Sequence, residues 1–464
     1  MRLLDAALNM VFMGGDLFTL YVALELLTFA AVPLVSLDGR GETLQAALRY
    51  LLFALLGSVL YLVGTVLLYG TYGTLDIVLL SHRVHAGPPT LVAAALMTAG
   101  LLAKTALFPL HLWLPPAHAG APAAASAALS GLVVKGSFFL VVRLWFDVMP
   151  ALPGPTAAQL LAALGAAAIV FGSVVALRQK RLKLLIAYST LAQIGYLFLM
   201  FPLAVDPGSA QFQSGGALTG GMLQAISHAT AKAGMFLAAG LIYAGLGHDR
   251  IAGLGGIARA LPISVLAFAL GGVSLIGLPP SGAYLAKALL LQAAAETQQW
   301  WWAVVIQTGG MFTCSYLLLV LGHALAPADK PVTLRVPVPR IGEAAALALA
   351  MCSLLLGLVP WDGYLSVPVG IPSNPPVLKA LATALWPILG GIVLAILLGR
   401  WGQGLARIPV AEAVVAVVGS ARRIALALGR MLVRVDGTLR QWAAAGFSLL
   451  VVAIMFGAAM LAGR

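Results

Sequence analysis

Long apolar runs, separated by short stretches rich in Gly, Pro, Arg or Asp, extend over almost the whole chain. An α-helix needs roughly 20 residues to cross a hydrocarbon core of about 30 Å, and these runs are near that length. The pattern therefore predicts an all-α polytopic membrane protein with about twelve transmembrane helices. The predicted spans cover residues 15–37, 44–70, 91–113, 121–146, 157–177, 183–203, 217–246, 262–296, 301–325, 341–360, 376–399 and 442–462.

Composition points to the same class of protein. Of the 464 residues, 61% are hydrophobic and only 9% are charged, and the mean hydropathy is +1.01. Soluble globular domains have about 25% charged residues, so this class is excluded. No cleavable signal is expected, because no small-residue cleavage site follows a short apolar region at the amino end. We expect a multi-pass protein of the cell (inner) membrane.

The net charge of +12 reflects membrane topology rather than nucleic-acid binding. Basic residues concentrate in the loop from Arg178 to Lys183 and in the stretch from Arg400 to Arg434, and they do not form one soluble basic face. The positive-inside rule predicts that both regions are cytoplasmic. No nucleic-acid partner is expected.

Two segments depart from the regular pattern of spans. Residues 1–14 are too short to cross a membrane, and they are predicted to be the tail of a helix whose beginning is absent. In the segment of about 409–434, Glu412, Arg423 and Arg434 fall within about 40° of one another on a helical wheel, and the apolar residues lie elsewhere. This pattern favours an amphipathic helix in the membrane interface, with an ordinary solvated connector as the alternative.

Prolines interrupt two of the spans close to a lysine. Pro109 follows Lys104 in one span, and Pro279 and Pro280 precede Lys287 in the other. Proline removes a backbone donor and clashes with the preceding turn, so both helices are predicted to be discontinuous. Broken helices at corresponding positions of two halves indicate an inverted-repeat transport core with its site near the midplane.

The two broken helices suggest a division into three parts. Residues 1–146 are predicted to be a first repeat, shortened at its amino end, and residues 157–325 a second repeat. Residues 341–464 are predicted to hold further transmembrane helices together with the amphipathic helix.

Four lysines and one glutamate interrupt apolar runs well away from their ends: Glu25, Lys104, Lys135, Lys232 and Lys287. A charge near the centre of a bilayer costs about 2.5 to 3.5 kcal/mol on insertion scales, so such residues usually face a bundle interior or water. A buried lysine amine loses its proton readily, because desolvation favours the neutral form. These residues are therefore candidates for a proton relay.

Two pairs among these residues have the spacing or charge for coupling. A carboxylate at Glu25 beside the Lys104 amine would form a charge switch, with a structural salt bridge or a snorkelling lysine as alternatives. His228 and Lys232 are four residues apart and share one helix face, so an imidazole and an amine can form a relay. The alternative is a histidine that is satisfied by a backbone carbonyl.

The remaining candidate residues carry less information. His111 and His118, in the Pro-rich connector after Lys104, either extend the proton path or order the loop. Cys314 and Cys352 lie in apolar runs without metal-ligand spacing, and both are expected in the core. No nucleotide, metal or flavin motif is present in the sequence, so no metal or cofactor is expected.

Several segments around these charges resemble the antiporter-like subunits of respiratory complex I and of Mrp-type multisubunit cation/proton antiporters. They include AKTALFPLHLWLPPAHAGAPAA, GLVVKGSFFLVVRLWF, ISHATAKAGMFLAAG and LIGLPPSGAYLAKALLL, together with KRLKLLIAYSTLAQIGY at 180–196. The resemblance extends over about residues 1–360. It implies two inverted five-helix repeats with a broken helix in each.

The resemblance also implies roles for individual residues. It assigns Glu25 and Lys104 as a coupled acid and base, and Lys135 as the first central relay lysine. His228 and Lys232 match the central relay of the second half.

The end of the relay and the type of subunit are also implied by the resemblance. Lys287 matches the terminal position, where some members have glutamate. That lysine, with the GDLF and GLPPSG segments, is similar to the D-type Mrp subunit or to the complex I subunit nearest the quinone module.

The first functional hypothesis is therefore a proton-translocating subunit of a larger membrane complex, without a redox or hydrolytic site of its own. Proton translocation by this subunit would be coupled to NADH:quinone or related redox chemistry, or to Na⁺/H⁺ antiport. The expected partners are other membrane subunits of a complex I-like, hydrogenase-like or Mrp-like assembly, the lipid bilayer and protons, with Na⁺ left open. The alternatives are an autonomous solute/proton transporter and a non-pumping structural subunit.

Overall fold

A computed structural model of the chain is helical throughout the part that it describes. It describes residues 2–150, 152–206, 212, 215–328, 332–359, 361, 377–398 and 412–462. Within these ranges, β-structure is limited to isolated bridges such as the one between Asp16 and Asp76. The predicted all-α class is confirmed.

The helices follow the predicted spans closely. In chain order they are α1 Arg2–Met13, α2 Leu17–Val35, α3 Gly41–Tyr72, α4 Ile77–Arg83, α5 Pro88–Thr105, α6 Leu114–Gly120, α7 Ala123–Val148, α8 Gly154–Leu177, α9 Leu182–Leu203, α10 Gly216–Leu246, α11 Ile257–Ala260, α12 Pro262–Ile276, α13 Gly282–Glu296, α14 Trp300–Leu325, α15 Arg340–Leu358, α16 Val377–Leu398, α17 Glu412–Leu439 and α18 Trp442–Ala462.

Both discontinuous helices are present. The span predicted at 91–113 is interrupted after Thr105, where α5 gives way to a loop, and α6 begins only at Leu114. The span predicted at 262–296 consists of α12 and α13. In the described part of the chain, nine unbroken helices are long and apolar enough to cross a membrane, so the count of about twelve stays a prediction.

Paired glycines bring neighbouring helices together. A Cβ added at Gly57 would lie 2.6 Å from the Gly100 carbonyl oxygen, which joins α3 to α5. A Cβ at Gly165 would lie 2.6 Å from the Gly195 carbonyl oxygen, which joins α8 to α9. Small residues of this kind allow the close backbone approach on which helix packing in a membrane depends.

Contacts between loops define one end of the bundle, which we call the basic end. The loop before α9 is tied to the loop after α10 by the ion pair of Arg181 with Asp249, at 3.0 Å. The Lys183 amine donates to the Ala121 carbonyl at 2.9 Å, which adds the α6–α7 connection to the same end. Gly429 of α17 lies beside the Arg178 side chain, so α17 also belongs to this end.

The opposite end of the bundle, the acidic end, carries Asp16, Asp76 and Asp147. The amides of Leu17 and Ile77 bond across the loops to Leu75 and Gly15 carbonyls, which joins the start of α2 to the start of α4. Asp16 also caps α2 by accepting the amides of Phe18 and Thr19 at 2.9 Å.

The C-terminal helices connect the two halves of the bundle. α16 packs on α14, and α18 packs on α5 and α8. Between them, α17 has 28 residues, which is about 42 Å of helix at 1.5 Å per residue. Residues 409–411 and the side chain of Glu412 lie outside the described part, while Arg423, Arg430 and Arg434 are exposed as expected. α17 continues past the predicted end at 434, and its last turns contact the core.

The prediction for the cysteines is half wrong. Cys314 is buried, but Cys352 is exposed on the outer face of α15. Because the outer face of a membrane helix is apolar, hydrophobicity in the sequence did not distinguish a core position from a lipid-facing one.

Candidate functional site

Lys104 lies in the last turn of α5 and points at α2. Its amine donates to the Thr28 hydroxyl at 2.8 Å and to the Leu24 carbonyl at 3.4 Å, and the side chain is buried. Glu25 lies on the same face of α2, and its carboxylate is 4.0 Å from the amine. The structure therefore brings together the acid and the base that the sequence predicted as a pair.

The Glu25 carboxylate has no hydrogen-bond partner within the described residues, although both of its oxygens are buried. Buried polar atoms are normally satisfied by protein or water. A small cavity beside Lys104 is lined by Thr28 and Tyr50 on one side and by Val133 and Ser137 of α7 on the other. Leu24, Leu27 and Ala54 complete the lining, so the surface of this cavity is mostly apolar.

The two broken helices have similar turns. The residue that follows α5 is Ala106, with φ 58°, and the residue that follows α12 is Gly277, with φ 88°, so each break begins with a left-handed residue. A proline follows three residues later in both, at Pro109 and Pro280. This similarity favours two related repeats, which stay a prediction. Trp113 stabilises the first break by donating its indole N–H to the Ala103 carbonyl at 3.0 Å.

Lys135 of α7 contacts α10 in the interior of the bundle. Its amine is 2.5 Å from Nδ1 of His228 on α10 and donates to the Ser130 carbonyl at 2.5 Å. That carbonyl belongs to a π-helical stretch, Leu129–Val133, where the regular helix pattern is interrupted. π-bulges of this kind are frequent at functional sites.

His228 and Lys232 do not form a hydrogen-bonded pair. His228 turns to Lys135, and its Nε2 atom has no partner in the described part of the chain. Lys232, which is fully buried, donates to the Ser189 hydroxyl and to the Ile186 carbonyl of α9. The two residues lie on one helix, as their spacing predicted, but their hydrogen-bond partners come from other helices, α7 for His228 and α9 for Lys232.

Lys287 of α13 reaches back across the second break. Its amine donates to the carbonyls of Leu275 and Ile276, at 3.1 and 2.8 Å, which are left open where α12 ends. The amine also lies over the ring of Tyr196, 4.7 Å from its centroid. No acidic group lies within ion-pair distance of this amine in the described residues, so its partners are neutral.

One face of α9 connects the surroundings of Lys232 and Lys287. Ser189, Gln193 and Tyr196 are spaced at i, i+4 and i+7 and share that face. The Gln193 amide donates to the Thr313 hydroxyl at 3.2 Å and accepts from Gln224 at 3.1 Å. These residues were not among the predicted site residues, although polar residues at helical spacing within an apolar span were a visible signal.

The two accessory histidines are both buried near the first break. His118 stacks on Phe236, with ring centroids 4.6 Å apart, and neither ring nitrogen has a described partner. His111 contacts Asp436 of α17, with Nε2 and Oδ1 3.0 Å apart. Asp436 is also absent from the predicted site, because it lies past the predicted amphipathic segment.

Among the described residues, no group of three or more His, Cys, Asp or Glu is placed to hold a metal ion. The buried charged groups near the two breaks are amines, imidazoles and the carboxylates of Glu25 and Asp436, surrounded by hydroxyls and carbonyls. These groups can hold and pass protons, whereas three or four convergent metal ligands are lacking in this part of the chain. The absence of a cofactor stays an expectation.

Comparison with known proteins identifies relatives of this chain. The transmembrane family of the NADH:quinone oxidoreductase and Mrp antiporter matches residues 14–313. NADH-quinone oxidoreductase subunit N of Desulforudis audaxviator is 34% identical over 361 residues, which are 74% of this chain and 70% of the relative. The D-type subunit of the Na⁺/H⁺ antiporter of Alkalihalophilus pseudofirmus is 28% identical, over 69% of this chain and 63% of that protein.

A solved structure shows the same fold. A chain of the Mrp complex from Dietzia sp. matches with a TM-score of 0.69 and 24% identity, over 85% of this chain and 78% of that one. The family match covers more than half of the present chain, and the predicted resemblance is confirmed. The chain therefore belongs to the transmembrane family of antiporter-like subunits that NADH:quinone oxidoreductase and the Mrp antiporters share.

Proposed function

We propose that this chain translocates protons as a membrane subunit of a larger complex. The path consists of Glu25 and Lys104, then Lys135 and His228, then Lys232, and finally Lys287. The observation that carries the proposal is the contact between the Lys135 amine and His228, because it joins an amine of the first half directly to an imidazole of the second.

Proton transfer along this path follows from the partners of each amine. Lys135, Lys232 and Lys287 are buried against neutral oxygens and rings, so a charge on any of them is poorly compensated. A lysine amine in such a site can pass its proton to a neighbouring base or to water. His228 is placed to receive the proton of Lys135 at one ring nitrogen and to release one at the other.

The pair of Glu25 and Lys104 controls entry to this path. When Lys104 is protonated, the carboxylate 4.0 Å away favours that charge. When the proton moves on toward α7, the carboxylate loses its charged partner. The charge state of one group therefore biases the other, and this is the coupling that an energy-transducing subunit needs.

The parent complex supplies the driving reaction. The relatives are subunits of NADH-quinone oxidoreductase and of a Na⁺/H⁺ antiporter, so we infer that the partners are other membrane subunits of such an assembly. The driving force is then NADH:quinone or related redox chemistry, or exchange against Na⁺.

A vesicle assay tests the proposal. Native membrane vesicles that contain the complex are energised with NADH or with an imposed Na⁺ gradient, and proton movement is followed with a pH-sensitive dye. Lys135→Ala and Lys232→Ala should each abolish proton movement while the tagged chain still assembles, because each removes one proton-carrying group of the path. Lys180→Ala, at an exposed lysine of the basic end, is the matched control.

Two results would contradict this function. Proton movement at the wild-type rate in both alanine variants would show that protons take another route. Transport of a solute by the purified chain alone, with no effect of either substitution, would favour an autonomous transporter.

A further inference from the structure

A buried carboxylate from the C-terminal helix α17 reaches the first break. Asp436 is only 2% exposed, whereas Arg434 on the same helix is exposed. One carboxylate oxygen is 3.0 Å from Nε2 of His111, and the other accepts the Tyr188 hydroxyl at 2.6 Å. Arg440, one turn further along, places its Nε atom 2.8 Å from the second oxygen.

The first partner belongs to the loop that interrupts the first broken helix. His111 lies between α5 and α6, seven residues after Lys104. Its ring packs against Phe108 and Phe171, with centroids 5.7 and 5.4 Å away. Two aromatic rings and one carboxylate therefore fix the position of His111. Because His111 lies in the loop after α5, these contacts also restrain the path of that loop.

The second partner, Tyr188, belongs to α9, the helix whose groups accept the Lys232 amine. Tyr188 directly precedes Ser189, whose hydroxyl accepts the Lys232 amine. Asp436 therefore touches the loop after one proposed proton carrier and the helix turn beside another. The helix that carries it extends between α16, which packs on the second half, and α18, which packs on α5.

The groups around Asp436 stabilise its ionised carboxylate. Burial alone would raise the pKa of Asp436, but the hydrogen bonds from His111 and Tyr188 and the charge of Arg440 hold that pKa below its ordinary value. The carboxylate is therefore ionised at neutral pH. A buried carboxylate is costly unless it is paired and hydrogen-bonded, so loss of any of the three groups that meet it would leave a poorly compensated buried charge.

We propose that Asp436 is a positioning residue of the proton path. Through His111 and Tyr188 it fixes the broken-helix loop against α9, so that Lys104 and Lys232 keep the arrangement that coupled proton transfer needs. The C-terminal helix α17 is then a strap between the two halves of the transport core. This inference rests on the proposed function, because it concerns the geometry of the same path.

The experiment measures protons moved per turnover of the driving reaction, in the vesicle assay with the whole complex. We expect Asp436→Ala to lower this ratio about tenfold, within the range that changes in coupling free energy produce. Asp436→Glu should restore part of it, since the carboxylate is retained. A residue that only supports folding would lower the amount of assembled complex and leave the ratio unchanged.

Further variants keep the test informative if Asp436→Ala does not assemble. Tyr188→Phe removes one hydroxyl, keeps the ring and should lower the same ratio. The double variant Asp436→Asn with His111→Gln should lose no more than the worse single variant, because both act through one contact. Arg434→Gln, a change of charge of the same size and opposite sign on the exposed face of α17, should stay within about twofold of wild type.

The outcomes separate the two proposals. An unchanged ratio in both Asp436→Asn and Tyr188→Phe would overturn the role of Asp436, and so would losses that multiply in the double variant. If these variants behave as wild type while Lys232→Ala abolishes proton movement, only the inference on Asp436 fails. If Lys232→Ala itself has no effect, the proposed function fails with it.

Discussion

At the scale of the residue, the chemistry of the site depends on what each amine touches. Lys104 faces a carboxylate, Lys135 an imidazole, Lys232 a hydroxyl, and Lys287 backbone carbonyls beside an aromatic ring. The four lysines therefore differ in how well a proton is stabilised at each. On the proposed path, a proton would therefore meet a different environment at each lysine.

A prediction at this scale concerns Gln193, which lies between the surroundings of Lys232 and Lys287. Gln193→Leu keeps the volume but removes the hydrogen bonds to Thr313 and Gln224. The rate of proton movement in the vesicle assay should fall about tenfold, in the range of changes in coupling networks. Gln159→Leu, at a glutamine that bonds to Gln299 away from the path, is the control. Equal rates in the two variants would remove Gln193 from the path.

At the scale of the element, the half-helices place lysines against open backbone carbonyls. Where α12 ends, just before Gly277, the last carbonyls have no helical donor, and the Lys287 amine donates to them instead. Gly277 has φ 88°, and a Cβ there would lie 2.8 Å from Cδ of Lys287. The glycine is therefore needed twice, for its backbone conformation and for the room it leaves to the lysine.

This arrangement predicts that Gly277→Ala imitates the loss of Lys287. The added methyl group pushes the lysine away from its carbonyls, so proton movement should fall as far as it does in Lys287→Ala. Gly446→Ala in α18 is a matched control, because a Cβ there meets nothing within 4 Å. Full proton movement in an assembled Gly277→Ala complex would contradict the placement of Lys287.

The sequence predicted the spans, the breaks and the buried lysines, but it did not predict which side chains contact one another across the bundle. Apolar runs and prolines predicted the spans and both breaks, because these follow from local preferences of the backbone. Charges in apolar runs identified the lysines, because burial of a charge is costly wherever the helix lies. The contact of Lys135 with His228 joins residues 93 positions apart, and that of His111 with Asp436 joins residues 325 apart. Such pairs depend on helix packing, which no local pattern encodes.

At the scale of the whole molecule, charge is distributed unevenly between the two ends of the bundle. The basic end carries Arg178, Lys180 and the arginines of α17, while the acidic end carries Asp16, Asp76 and Asp147 with fewer basic residues. Contacts between Gly429 and Arg178 put α17 and the loop before α9 on the same side. The positive-inside rule then predicts that the basic end faces the cytoplasm.

Cysteine labelling in whole cells checks this orientation. Cys314 and Cys352 are first replaced by alanine, and a single cysteine is introduced by Lys180→Cys at the basic end or by His82→Cys at the acidic end. A membrane-impermeant maleimide should label the His82→Cys protein in intact cells and the Lys180→Cys protein only after lysis. The reverse pattern would invert the orientation.

The central claim is that protons cross from one half of the chain to the other through Lys135 and His228. The most direct test is to measure, in the same vesicles, the driving reaction and the protons moved in wild type and in Lys135→Ala. We predict that the assembled variant moves essentially no protons per turnover, while Lys180→Ala keeps the wild-type ratio. A wild-type ratio in Lys135→Ala would contradict the claim.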